Sequence, residues 1–165
     1  MKKIIKILTL ILIISSPASA QLFYIAPNTT VVSTPGCDIE IDGELYIDAS
    51  ASYTHNGNTH LTGHWNNQNG WASASSGTVV FHGSVTPQDI MGAVDYCSYF
   101  YNIRMVKGNN LERVRVTLPT QAFNDCVLIT GTYEVILNLD KFKVNKIVRN
   151  SAILENFGII EIGEP

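Results

Sequence analysis

The sequence predicts an all-β fold in which short strands follow one another as the rungs of a coil. Between residues 64 and 135, apolar and small side chains alternate with period two, as at Val79 and Phe81 or at Val114 and Val116. Turns rich in Asn and Gly bound each piece, and no helical pattern separates one piece from the next. These pieces are therefore predicted to be half-buried β-strands.

The first 20 residues are predicted to be a cleaved secretory signal peptide. A basic start precedes the apolar run 4–14, and SSPASA then supplies a helix break and a small-residue cleavage site. The apolar run is shorter than the roughly 20 residues that a membrane-spanning helix needs. We therefore expect cleavage before Gln21, no transmembrane anchor afterwards, and a protein that is secreted or held at the cell surface.

The mature chain, residues 21–165, has the length of one domain. It retains eight basic residues against all 14 acidic ones, a formal charge of −6, so nucleic acid is not an expected partner. The basic residues all lie in the second half of the chain, and four of them are Arg104, Lys107, Arg113 and Arg115. These four could hold an acidic polysaccharide, but their alternation with apolar residues favours the solvent face of strands.

Residues 21–50 are predicted to be lead-in strands with an acidic outer face. In CDIEIDGELYIDAS, isoleucines alternate with Asp38, Glu40 and Asp42 before a glycine turn. The same acids imitate the start of a calcium loop. Ala49 stands where the closing bidentate Glu of such a loop should be, so strands are predicted here and a calcium site is not.

Three histidines crowd the next segment, ASYTHNGNTHLTGHWNNQN. His55, His60 and His64 could be zinc ligands, but zinc needs three or four convergent ligands with a supporting second shell. The spacing of His60 and His64 suits a helix, whereas the pattern is that of a strand with both residues on its polar face. Surface histidines are the favoured interpretation, and no metal site is predicted.

The strands become more apolar after Gly77. Their short lengths fit strands better than helices, and Gly, Pro and Asn punctuate them. The predicted strands are 78–81, 99–105, 113–118, 126–130, 133–137, 142–148, 152–154 and 157–160.

The three cysteines are too few, and odd in number, to form a disulfide framework. One bridge is possible in an exported chain, and Cys97 with Cys126 is the favoured pair if the two residues lie on neighbouring rungs. Small buried hydrophobic side chains are the alternative for these residues and for Cys37.

The order of the motifs resembles that of secreted right-handed parallel β-helix proteins of Bacteroidota, which are adhesin-like and often exported by type IX secretion. HWNNQNGW, SGTVVFHGS, QDIMG, YFYNIRM and LITGTYEV follow the family's W-x-N-x-G, G-T-V-x-F-x-G, Q-x-I-x-G, F-Y-N-L and T-G-x-L patterns. The resemblance covers most of the mature chain and implies a right-handed parallel β-helix, or β-solenoid, of which this chain is the N-terminal portion. The chain departs from the pattern at Cys97, at the Asp95–Ser98 insertion, and in length.

The segment Phe157–Ile162, which begins with the last predicted strand, runs nearly to the end of the chain, and only Gly163, Glu164 and Pro165 follow it. A solenoid whose last rung has no cap exposes unpaired backbone and an apolar edge. We therefore expect the chain to be a truncated piece of a longer protein, or to dock its open edge onto another surface protein.

Aromatic residues support the hypothesis that the protein binds carbohydrate. Trp65, Trp71, Tyr96 and Tyr99 could form a platform for sugar rings if several of them face outward. Alternation places Tyr99, Tyr101 and Ile103 on one strand face and Phe100 and Asn102 on the other, and core packing is the alternative role. Surface glycans are accordingly one class of expected partner.

Catalysis has little support in the sequence, and we predict that the protein is not an enzyme and uses no cofactor. No nucleophile elbow, H-E-x-x-H motif, CxxC pair or phosphate-binding glycine loop occurs. Some parallel β-helices degrade polysaccharides with carboxylates on one strand face. Asp89, Asp95 and Glu112 are the acids near Arg104 and Arg113, but their spacing distinguishes no acid–base pair. A structural or adhesive role is the leading prediction, with a carbohydrate-binding module or such an enzyme as alternatives.

Overall fold

Every helix or strand that is assigned in the described part of the computed structural model is a β-strand. The structure describes residues 21–68, 70–93, 98–117, 120–135, 141–156 and 159–162, so the predicted signal peptide lies outside the described residues. The strands are β1 (Gln21–Ile25), β2 (Thr30–Ser33), β3 (Asp38–Ile41), β4 (Gly43–Ile47), β5 (Ser52–His55), β6 (Asn58–Leu61), β7 (Trp65–Asn67), β8 (Trp71–Ser73), β9 (Thr78–Phe81), β10 (Gln88–Gly92), β11 (Ser98–Phe100), β12 (Asn102–Val106), β13 (Arg113–Val116), β14 (Thr120–Ile129), β15 (Thr132–Val135), β16 (Lys141–Asn150), β17 (Ile153–Asn156) and β18 (Ile159–Ile162).

The strands stack in parallel as a β-solenoid of about five turns, which confirms the predicted fold class. One sheet has the order β1-β4-β7-β10-β13-β15-β17, a second runs β3-β6-β9-β12-β14-β16-β18, and a third contains β2, β5 and β8. Successive strands of the first turns therefore move from one sheet to the next, and three strands make one turn. The predicted lead-in segment contains the first of these turns and the first strand of the second turn, because β1, β2 and β3 pair with β4, β5 and β6.

The third sheet merges with the second in the later turns. β11 packs against β8 and pairs with the first residues of β14, while β12 pairs with the last residues of the same strand. β14 is thus one long strand at a position where the earlier turns have two short strands. The face that carries β8 and β11 therefore continues without a break into the later turns.

The inward-facing side chains form one continuous core. Trp65 lies at its centre, with ring centroids 6.1 Å from Tyr53, 6.4 Å from Phe81 and 4.8 Å from Phe100. Offset and edge-on aromatic contacts of this kind stabilise a core beyond the area that they bury. The fully buried large side chains are Trp65, Tyr53, Phe81, Phe100, Ile25, Leu45, Ile47, Leu61, Ile90 and Ile103.

Glycines at one corner allow successive turns to approach closely. Cys37, Gly57 and Gly77 each precede the first residue of a strand in the second sheet. A Cβ atom at Gly77, where φ is +85°, would lie 2.1 Å from the carbonyl oxygen of Gly57, and one at Gly57 would lie 2.4 Å from that of Cys37. Side chains larger than hydrogen do not fit between these stacked backbones.

The acidic outer face of the first turns is occupied by hydrogen bonds to the next turn. Asp38 Oδ1 accepts a bond from Asn58 Nδ2 at 2.8 Å, and Asp42 Oδ1 accepts one from Thr62 Oγ1 at 3.0 Å. These carboxylates form hydrogen bonds between neighbouring strands of the sheet and do not converge within one loop as calcium ligands would. Their role here is to link neighbouring turns.

The predicted alternation of faces across residues 99–103 is wrong. Phe100 and Ile103 are both buried, although strict alternation assigned them to opposite faces. The reason is a bend at Tyr101 between β11 and β12, which shifts the phase of the alternation by one residue.

Lys107 is 3% exposed, although it was predicted to lie on a solvated face. Its Nζ donates to the carbonyl oxygens of Gly83 and Val85 at 3.0 and 3.1 Å, so the buried amine is hydrogen-bonded. Burial lowers the pKa of Lys107 to about 8, and the nearby carboxylate of Glu112 partly opposes that effect.

No helix in the described ranges combines the length and apolarity required to cross a bilayer.

Candidate functional site

Trp71 and Tyr99 form an aromatic pair on the outer surface of the solenoid. The two ring centroids are 5.8 Å apart and the ring planes are inclined at 38°. Trp71 is 51% exposed, and the pair lines an open depression of about 330 Å³ together with Ser73 and Ala74. Two rings tilted across a depression offer apolar faces to a ligand that approaches from solvent.

Strand stacking determines this position. Trp71 is the first residue of β8 and Tyr99 is the middle residue of β11, which packs against β8. Their neighbours Ala72 and Phe100 are fully buried, so alternation turns both Trp71 and Tyr99 outward. The pair therefore spans two successive turns, and it forms only when both turns are folded.

Hydroxyl groups lie beside the rings on the same outer face. Ser52 pairs with Trp71, and Thr54 pairs with Ser73, on the neighbouring strands β5 and β8. All three hydroxyl-bearing residues are half-buried on outward-facing positions. Aromatic faces flanked by hydroxyl donors and acceptors match the alternating C–H faces and hydroxyl groups of a sugar ring.

A buried histidine supports the pair from inside. His55 Nε2 donates to the carbonyl oxygen of Tyr99 at 3.0 Å, and its ring lies 5.4 Å from Phe100 and 5.6 Å from Trp65. Burial lowers the pKa of His55 to about 4, so the imidazole is neutral at neutral pH. The sequence interpretation of His55 as a surface histidine is therefore wrong, because its strand face points into the core.

Trp65 does not belong to the binding surface. The side chain is 0% exposed, and its Nε1 donates to Ser98 Oγ at 3.0 Å inside the core. A ring that is packed on all sides presents no face to a sugar, so its assignment as a contact residue is corrected. Tyr96, the other predicted contact, lies outside the described residues.

The acids considered for catalysis have structural partners. Asp89 accepts two hydrogen bonds from Arg115, at 2.7 and 2.9 Å. Glu112 accepts bonds from the backbone N–H of Gly108 at 2.8 Å and from Asn109 Nδ2 at 2.9 Å, closing a surface loop. Asp95 lies outside the described residues.

The predicted disulfide stays a prediction. Cys126 is buried in β14, and Cys97 lies outside the described residues. Cys37 is half-buried at a corner and forms no disulfide.

The geometry defines the class of this protein as a parallel β-solenoid with a surface aromatic pair. No protein-family model, curated protein or solved structure matches the chain.

Proposed function

We propose that this chain is a secreted or cell-surface adhesive β-solenoid segment that holds glycan chains on the Trp71–Tyr99 pair. The observation that supports the proposal is the exposed pair itself, which lines a depression of about 330 Å³ on a continuous strand face. Trp65, Phe81 and Phe100 are fully buried, whereas Trp71 is 51% exposed and lies beside Tyr99 in this depression. Recognition of a sugar ring gives the exposed pair a role.

Sugar binding follows from the chemistry of the two partners. A pyranose has an apolar face of C–H groups and a rim of hydroxyl groups, and an aromatic ring contacts the face while polar side chains contact the rim. The hydroxyls of Ser52, Thr54 and Ser73 lie on the same outer surface as the two rings. In this proposal, the aromatic rings provide affinity for the sugar, and the hydroxyl groups determine the orientation in which the sugar binds.

Export supports the same proposal. The predicted signal peptide directs the chain out of the cell, where glycans are abundant, and the sequence resemblance suggests cargo of type IX secretion in Bacteroidota. N-terminal sequencing of the exported protein tests this part, because cleavage at the proposed site gives a chain that begins at Gln21. A first residue further upstream would contradict it.

A glycan array probed with the mature chain tests the binding surface. We expect W71A and Y99A each to weaken binding to the positive glycans by about tenfold or more, since each removes one stacking face. L111A is the matched control, because Leu111 is an exposed apolar side chain in the loop before β13. It should bind as the unmodified protein does.

Thermal unfolding of the same variants separates loss of binding from loss of folding. Trp71 is half-exposed, so W71A should retain a melting temperature near that of the unmodified protein. An array with no positive glycan, or W71A binding at full strength, would leave a purely structural role for the segment.

A further inference from the structure

Three side chains with metal-ligating atoms meet on the outer face of the second sheet, away from the aromatic pair. Glu40 lies in β3, His60 in β6, and His82 directly after β9. One donor atom from each residue lies within 4.8 Å of the other two. His82 Nε2 is 3.0 Å from Glu40 Oε1, and the His60 and His82 rings are 6.0 Å apart at an interplanar angle of 77°.

The stacking of the turns produces this convergence. Glu40 and His60 are directly opposite each other in the parallel pair of β3 and β6, where strands are about 4.8 Å apart. The backbone N–H of His82 donates to the carbonyl oxygen of Leu61 at 3.0 Å, which holds the chain after β9 alongside the end of β6. His82 then reaches across to Glu40, so the three residues connect three successive turns.

We propose that Glu40, His60 and His82 bind a divalent transition metal ion of the zinc class and thereby clip three turns of the solenoid together. Two imidazole nitrogens and one carboxylate oxygen are a ligand set that zinc accepts, with water as the fourth ligand. Calcium and magnesium prefer oxygen ligands alone, so the two histidines favour zinc and its neighbours.

The distances suit such an ion after small side-chain movements. Zinc–nitrogen and zinc–oxygen bonds of about 2.1 Å place tetrahedral ligands about 3.4 Å apart. The 3.0 Å between Glu40 and His82 is already near that value. The side chains of Glu40 and His82 are 59% and 31% exposed, which leaves them free to adjust and leaves the ion a path from solvent.

The local charge also favours a cation. Asp38 and Asp42 flank Glu40 at two residues on either side, and both are exposed on the same strand face. Clustered carboxylates raise the local concentration of divalent cations. Each of these two aspartates has a hydrogen-bond partner on the next turn, so neither is needed as a ligand.

Isothermal titration of the mature chain with zinc chloride tests the site. We expect binding of one ion, and a loss of affinity of about tenfold or more in H60Q and in H82Q, since each removes one of three ligands. D38N is the matched control, because it removes one charge from the same strand without removing a ligand. Its affinity should fall much less than that of H60Q or H82Q, because only a neighbouring charge is lost and all three ligands remain.

Two further measurements separate loss of the metal site from loss of folding. Zinc should raise the melting temperature of the unmodified protein and of D38N but not that of H82Q, because a ligand that binds only the folded state stabilises it. Cobalt(II) should give the visible absorption of a mixed nitrogen–oxygen site in the unmodified protein, and H82Q should lose it. No zinc binding, or full affinity in a folded H60Q and H82Q, would overturn the proposal.

Discussion

At the scale of single residues, His55 connects the core to the aromatic pair. It is 1% exposed, it contacts Tyr53 at 5.4 Å between ring centroids, and its hydrogen bond to the carbonyl oxygen of Tyr99 holds the backbone of β11. Burial disfavours the imidazolium more than the backbone hydrogen bonds to Tyr99 and to His55 itself favour it, so the neutral imidazole is the form that suits this environment.

The first prediction follows from the pKa of His55, which is about 4 in the folded protein against 6.5 as its ordinary value. Between these two pH values the unfolded chain binds a proton at His55 and the folded chain does not, so folding stability falls as the pH falls. The stability is complete above pH 6.5 and loses up to about 3 kcal/mol by pH 4.

Urea unfolding at pH 7 and pH 4.5 measures this effect. We expect H55F to lose part of the pH dependence, whatever its stability at pH 7, because phenylalanine does not titrate. The remaining histidines and all carboxylates are present in both proteins, so the difference between the two pH profiles isolates His55. Identical profiles would contradict the assignment.

At the scale of elements, the corner glycines determine how closely the turns stack. Gly77 and Gly36 share a left-handed backbone, with φ of +85° and +81°. They differ in their surroundings, because a Cβ at Gly77 would collide with the Gly57 carbonyl, whereas a Cβ at Gly36 would have no atom within 4 Å. The two positions therefore separate the cost of backbone strain from the cost of a collision between turns.

We predict that G77A destabilises the protein much more than G36A. Alanine in a left-handed conformation costs about 1–2 kcal/mol at either position. At Gly77 the backbones of two turns must also move apart, which adds about 1–3 kcal/mol. The free energy of unfolding from urea titration is the measurement, and equal losses in the two variants would show that close stacking at this corner is unimportant.

The sequence predicts elements better than it predicts faces. Period-two alternation identified strand 78–81 with the bounds that β9 has in the structure, because both flanks are marked by turn residues. Alternation does not continue across a corner, however, and the bend at Tyr101 places Ile103 on the buried face with Phe100 instead of on the face of Tyr99. The sequence does not distinguish Trp65 from Trp71. Only the stacking of turns shows that the ring of Trp65 is in the core and that of Trp71 is exposed.

The candidate metal cluster was missed for a related reason. Glu40 and His82 are 42 residues apart, and they meet only because the intervening turns have lengths that place β9 two strands away from β3. Along the chain, the histidines nearest to His60 are His55 and His64, and a zinc site was weighed for those three residues. In a solenoid, the relevant neighbours are one turn away rather than four residues away.

At the scale of the whole molecule, each turn contacts mainly the turns before and after it. In such a structure, stability is the sum of terms for single turns and for the interfaces between them, so opening begins where a turn has one neighbour. β1 lies at the end of its sheet and is exposed at its first four residues, whereas β7 lies between β4 and β10 and contributes the fully buried Trp65.

We therefore predict that amide hydrogens exchange fastest in β1 and slowest around β7, a gradient that hydrogen exchange with mass spectrometry of the mature chain measures. W65A tests the same argument, because it leaves a cavity where Tyr53, Phe81 and Phe100 converge and costs about 3–5 kcal/mol. Protection should fall most in β5, β9 and β11, which pack on that ring, and least in the distant β17. A uniform loss in all strands would mean instead that the solenoid opens as one cooperative unit.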